Sequence, residues 1–189
     1  TTAGTYTVVA TAAGTLSCSA DMSDDATLTI EATPVAYNVT GGDMVVCSGD
    51  NTGVTVGLDN SQDGVTYELL LDNASLSPKV ELAGNGGPIA FATQMTAGTY
   101  TIVGTSDTGL NCDADMTGDA SLTIEATPMV QTVSGDATVC ADGTISITVN
   151  LSGSETGVNY ELMLDGASLS PAVTMAGTGA AFDFADQTT

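Results

Sequence analysis

Residues 97–128 read AGTYTIVGTSDTGLNCDADMTGDASLTIEATP, and residues 3–34 read AGTYTVVATAAGTLSCSADMSDDATLTIEATP. The chain repeats itself with an offset of 94 residues from Cys18 to Cys112 and from Pro34 to Pro128, and of 93 from Cys47 to Cys140 and from Tyr67 to Tyr160. Solenoid repeats run at about 20–50 residues, so a period this long marks a string of whole domains. Within the quoted stretch Tyr100, Ile102 and Gly104 alternate with Thr99, Thr101, Val103 and Thr105, the period-2 signature of a strand with one buried face. Leu122, Ile124 and Ala126 alternate with Ser121, Thr123 and Glu125 until Pro128 stops the ladder. These are the last two strands of a domain, and Tyr6, Val8 and Ala10 begin their copy.

Working outward, residues 37–46 read as a first strand and Val54, Val56 and Leu58 as a second. The turn 59–64 is built from residues that tolerate tight or left-handed backbone. Val65, Tyr67, Leu69 and Leu71 face inward on a third strand. The pattern breaks at Leu76 to Pro78, resumes at Val80 and Leu82, turns through Asn85-Gly86-Gly87-Pro88, and continues with Ile89 and Phe91. Seven short strands with no helical periodicity predict an all-β fold, a tandem array of immunoglobulin-like antiparallel β-sandwiches. The expected core is Val54, Val56, Leu58, Tyr67, Leu69, Phe91, Tyr100, Ile102, Leu122 and Ile124. Residues 35–128 make one complete domain, 1–34 the last two strands of a preceding repeat, and 129–189 the first five strands of a following one.

Composition bounds the function. Among 189 residues there are 23 Asp and Glu, a single Lys or Arg, Lys79, and no His, for a net charge of −22. Such a surface repels nucleic acid and anionic membrane, which are gripped by Lys and Arg. No apolar run reaches the ~18 residues of a membrane span, and no leader peptide is visible, so the expectation is a mature or partial chain without membrane insertion. With no His, no Arg and one Lys, the players of general-base catalysis and oxyanion binding are scarce, and the chain does not read as an enzyme.

The four cysteines occupy two fixed places per repeat: after the first strand (Cys47, Cys140) and between the last two strands (Cys18, Cys112). A disulfide in an oxidising extracellular setting is expected. One arrangement bridges Cys47 to Cys112 within the domain. The other joins the Cys47 position of one domain to the Cys112 position of the next, since those two loops lie at opposite ends of an immunoglobulin-like sandwich. The acids Asp113, Asp115 and Asp119, with Gly118, echo the start of a calcium loop but lack an acid at the twelfth position, where Ile124 stands; calcium is the one cofactor suggested. Asn38, Asn73 and Asn150 begin glycosylation sequons, a pattern that a Ser- and Thr-rich chain also produces by chance. Tyr6 and Tyr100 stand where immunoglobulin-like domains carry a tyrosine corner, or are simply core aromatics.

The AGTYT opening (Ala3 to Thr7, Ala97 to Thr101), the cysteine before the second strand, the second cysteine and the closing Leu-Thr-Ile-Glu-Ala-Thr-Pro together resemble the repeats of giant cell-surface adhesins of the Bacteroidota, the SprB-like gliding-motility type. Those repeats often carry Trp in the third strand and Gly before the second cysteine, where this chain has Leu71 and Leu164, and Asn111 and Ser17. The resemblance implies secretion to the cell surface, long filaments and adhesion to a surface or glycan receptor. A rival reading is a calcium- or glycan-binding β-sandwich module of a secreted protein. Laying Thr188-Thr189 over Thr1-Thr2 continues the repeat without a gap, at a step of 187 residues. The chain is therefore expected to meet copies of itself end to end, by covalent continuity or by strand donation between separate chains.

Overall fold

The computed structural model describes residues 2–138, 146–184 and 187–188, and these contain strands and turns but no helix. The protein is all-β, built from several open sheets. It divides into two compact units, Thr1–Glu125 and Ala126–Thr189.

The first unit opens with β1 (Gly4–Tyr6), β2 (Val9–Thr11), β3 (Ser19–Asp21) and β4 (Ala26–Leu28). β1 pairs antiparallel with β4 and β2 with β3, one hairpin interrupted midway. Every residue of these four strands is exposed. A two-stranded ribbon has no second layer against which to bury a face.

The same unit continues with β5 (Val39–Thr40), β6 (Asp43–Cys47), β7 (Gly57–Leu58), β8 (Val65–Leu71), β9 (Ala74–Ala83), β10 (Ile89–Ala90), β11 (Gly98–Ser106), β12 (Asp113–Asp115) and β13 (Ala120–Glu125). One sheet has the order β10-β7-β5; the other runs β6-β13-β11-β8-β9, with β12 also on β11. Val54, Val56, Leu58, Ile89 and Phe91 from the side of the first sheet and Tyr67, Leu69, Tyr100, Ile102 and Leu122 from the second form one buried cluster. Removing these side chains from water is the main stabilising term, about 1.5–3 kcal/mol for each large apolar one. The two buried phenols are also satisfied: Tyr67 accepts from the Gln62 N–H at 2.9 Å, and Tyr100 donates to the Thr96 carbonyl at 2.6 Å. Period 2 holds along the whole of β11, where Tyr100, Ile102, Gly104 and Ser106 are buried and their neighbours are not.

Several expectations need correction. The first strand is two strands, because Gly41 and Gly42, both at positive φ, carry the chain from one sheet to the other. A Cβ at Gly41 would stand 2.7 Å from the Thr55 carbonyl oxygen, so the crossing requires glycine. After it, β6 runs parallel to β13, so the fold is not purely antiparallel. Residues 76–79 do not end a strand. They form a bulge inside β9, where pairing shifts from Leu70–Ser75 to Leu69–Val80, and Pro78, which has no N–H to offer, sits in the unpaired stretch. Ile124 is 41% exposed and not core. β11 begins at Gly98, opposite Leu122, so only β6 flanks Ile124.

The second unit contains β14 (Val133–Ser134), β15 (Ser146–Ile147), β16 (Asn150–Leu151), β17 (Asn159–Leu164), β18 (Ala167–Ala176), β19 (Phe182–Asp183) and β20 (Gln187–Thr188). Its β14-β16-β19 sheet and β17-β18 hairpin repeat the registers of β5-β7-β10 and β8-β9, bulge included. Glu155 N–H donates to Tyr160 Oη at 2.9 Å as Gln62 does to Tyr67.

Candidate functional site

Two surfaces stand out because the complete domain shows what they lack. In the first, β1–β4 hold the registers of β11–β13: Gly4 opposes Leu28 as Gly98 opposes Leu122, and Val9 opposes Asp21 as Val103 opposes Asp115. Their environments are opposite. Tyr6 is 51% exposed against 0% for Tyr100, and Val8 64% against 1% for Ile102. Met22 and Leu28 are likewise exposed where Met116 and Leu122 are buried. A shallow depression lined by Tyr6, Val8, Met22 and Ala26 and rimmed by Ser23, Asp24 and Asp25 marks this face.

The second surface is a cleft of about 330 Å³ in the second unit, lined by Val133, Val149, Leu151, Tyr160, Leu162 and Phe184 among others. The matching residues of the complete domain are Val39, Val56, Leu58, Tyr67, Leu69 and Phe91, and these share one core cluster with Tyr100, Ile102 and Leu122. Among the described residues β17 pairs with β18 alone, whereas β8 pairs with β11 as well. Phe182 packs edge-on against Tyr160 and Phe184, with centroids 5.5 and 5.3 Å apart.

Cys18 and Cys47 are exposed and Cys112 is half-buried; all three are free thiols. Cys140 lies outside the described residues. The intradomain bridge is corrected by the register. Cys47 lies opposite Glu125 at the far end of β13, thirteen residues along the chain from Cys112. Cys112 lies beside Ser106 and Cys47 lies past the Gly98 end of β11, and at about 3.3 Å per residue the length of β11 between Gly98 and Ser106 alone is roughly 25 Å, against a limit near 7 Å for bridged Cα atoms. Cys112 instead has the Glu31 carboxylate 4.0 Å from its sulfur. Glu31 also accepts from the Leu110 N–H at 3.3 Å and the Ser106 hydroxyl at 3.4 Å.

Asp113 and Asp115 do not open a loop. They lie on β12, opposite Thr105 and Val103, and Asp119 follows the bend at Gly118. Among the described residues no three acidic, Cys or His side chains converge on a metal position. Asn38 donates to Asp59 at 2.7 Å and Asn150 to Asp183 at 2.6 Å, while Asn73 takes the left-handed conformation in the β8–β9 turn. Both strand-opening tyrosines bond the backbone four residues upstream, Tyr6 donating to the Thr2 carbonyl and Tyr100 to that of Thr96.

The contacts of two residues escaped the sequence reading. Lys79 joins Glu68 across the β8–β9 hairpin at 2.9 Å and Glu81 on its own strand at 2.7 Å, and these contacts raise its pKa, Glu81 most. Glu31 ties the end of the leading hairpin to the complete domain. Its signal was its place in the closing LTIEATP, repeated at Glu125. No family model matches the chain, and no curated protein or solved structure does.

Proposed function

We propose that this chain is a structural building block of an extracellular, cell-surface filament of tandem immunoglobulin-like repeats, of the adhesin type that its AGTYT and LTIEATP stretches resemble. The immunoglobulin-like assignment is supported by the two-sheet order, by a first strand shared between the sheets, and by the tyrosine corner. One observation carries the functional reading. The face that Tyr100, Ile102 and Leu122 bury in the complete domain stays exposed on Tyr6, Val8 and Leu28, and the matching surface of the second unit holds a cleft beside the buried Leu151 and Phe184. Residues 1–34 and 129–189 are complementary halves of one domain, so the leading strands of one copy close the trailing half-domain of another by strand addition. The uniformly acidic surface keeps neighbouring filaments apart.

Negative-stain microscopy of the chain in solution tests this. The expected result is linear, concentration-dependent filaments, lost when Val8→Asp is introduced while the complete domain still unfolds at its original urea midpoint. A chain that stays monomeric at millimolar concentration overturns the reading. Melting with and without EDTA separates it from the calcium-binding alternative, which requires a large loss of stability on chelation.

A further inference from the structure

The contact between Glu31 and Cys112 fixes more than a loop. Glu31 is the copy of Glu125, one repeat earlier. In the complete domain Glu125 is the register partner of Cys47, and the Ser48 N–H donates to its carbonyl at 2.6 Å. Neighbouring strands lie about 4.8 Å apart, so wherever a Glu125 position stands, the Cys47 position of the same repeat stands beside it. At the junction between the leading repeat and the complete domain, the residue reaching Cys112 is therefore the strand neighbour of the leading repeat's Cys47 position. The same register that forbids a bond inside one domain brings these two positions together across a junction.

We propose that each domain junction is stapled by a disulfide from the Cys47 position of one repeat to the Cys112 position of the next. This rests on the filament reading above. With copies joined at the 187-residue step, Cys47 bonds Cys18 of the following copy, and Cys140 bonds Cys112 of the following copy. No cysteine then has its partner in its own copy. Exposure of Cys47 and Cys18 leaves them open to an oxidant, and the half-burial of Cys112 still leaves its sulfur reachable. Each bond forms from two thiols, which give up two protons and two electrons to a disulfide oxidant that is itself reduced to a dithiol. Pulling force along the filament then crosses every junction through a covalent bond in addition to the paired strands.

The test uses the full chain, half of it ¹⁵N-labelled, assembled in a glutathione redox buffer, then digested without reduction and mapped by mass spectrometry. Expected are cross-linked peptides Cys47–Cys18 and Cys140–Cys112, each including mixed-isotope pairs, which only bonds between copies can give. Cys112→Ser should free Cys140 for alkylation and leave the Cys47–Cys18 peptide intact. A Cys47–Cys112 peptide, or four alkylatable thiols in assembled material, overturns the staple. Sedimentation of the same sample in reductant keeps the two ideas apart: assembly with every thiol free sinks the staple alone, and no assembly under either condition sinks the filament reading and the staple with it.

Discussion

Tyr6 and Tyr100 make the same hydrogen bond in opposite surroundings. Each phenol donates to the carbonyl four residues upstream, at Thr2 and Thr96, yet Tyr100 lies in a closed core and Tyr6 on an open face. The hydrogen bond is local to the turn entering the strand, so it forms whether or not a second layer is present. Burial requires the other sheet.

The pair gives a direct comparison. Tyr100→Ala should destabilise the complete domain by about 3–5 kcal/mol, the range for removing a large aromatic from a packed core. Tyr6→Ala should leave urea unfolding of the unassembled chain within about 0.5 kcal/mol of wild type and sharply weaken self-association, read by sedimentation. Equal effects of the two substitutions on unfolding would mean that the leading hairpin already has a core of its own.

Burial raises the pKa of both Tyr67 and Tyr100 above 10.0, against the lowering effect of their hydrogen bonds with Gln62 and Thr96. Because the folded value lies above the unfolded one, the stabilising contribution is complete below pH 10 and is lost as pH rises through the folded value. Thermal melts from pH 8 to 12 should show the complete domain weakening only above about pH 10. The double substitution of Tyr67→Phe and Tyr100→Phe should flatten that alkaline limb, even though it lowers stability at neutral pH by leaving the Gln62 N–H and the Thr96 carbonyl unpaired. A limb unchanged in the double variant would assign it to other groups.

Much of the fold was legible because its core follows period 2. Val54, Val56 and Leu58, then Tyr67 and Leu69, then Tyr100 and Ile102 all face inward as their alternation requires. What the pattern hid were the places where the backbone, not the side chain, decides. Gly41-Gly42 moves the first strand between sheets, and a bulge carries β9 past Pro78, and neither leaves a trace in hydrophobic periodicity. Ile124 shows the converse, an apolar residue in perfect alternation that lies past the end of its neighbouring strand. Of the candidate site, the repetition of β11–β13 by β1–β4 was visible from the repeat offset alone. The role of Glu31 was not, since it depends on which end of the sandwich the cysteine loop occupies.

Gly84 packs where no side chain fits. A Cβ built there would stand 1.9 Å from the Gln62 carbonyl oxygen and 3.0 Å from the Tyr67 ring, and Gly177 meets Glu155 and Tyr160 in the same way. The obstacle at 1.9 Å is backbone, so the loop carrying Gln62 has to move and its bond to Tyr67 weakens with it. Gly84→Ala should cost about 1–3 kcal/mol or more, read as a lower urea midpoint with an unchanged slope. Gly109→Ala, at a glycine with open space around it and no positive φ, serves as the control and should fall within about 0.5 kcal/mol of wild type.

Assembly should strengthen with salt. Residues 1–34 carry Asp21, Asp24, Asp25 and Glu31, residues 129–189 carry seven more carboxylates, and neither segment has a Lys or Arg. If their apolar faces meet as proposed, association gains from burial, and their like charges oppose it. The screening length shortens from about 30 Å at 0.01 M salt to about 8 Å at 0.15 M, which weakens the repulsion and leaves burial of the Tyr6, Val8 and Leu28 face nearly untouched. Light scattering during a sodium chloride titration should therefore show the critical concentration for assembly falling as salt rises from 0.01 to 0.15 M. Lys79→Gln should leave that dependence unchanged, because Lys79 is engaged with Glu68 and Glu81 on the β8–β9 hairpin. A critical concentration that rises with salt would point to paired charges at the contact, which two acidic halves do not possess.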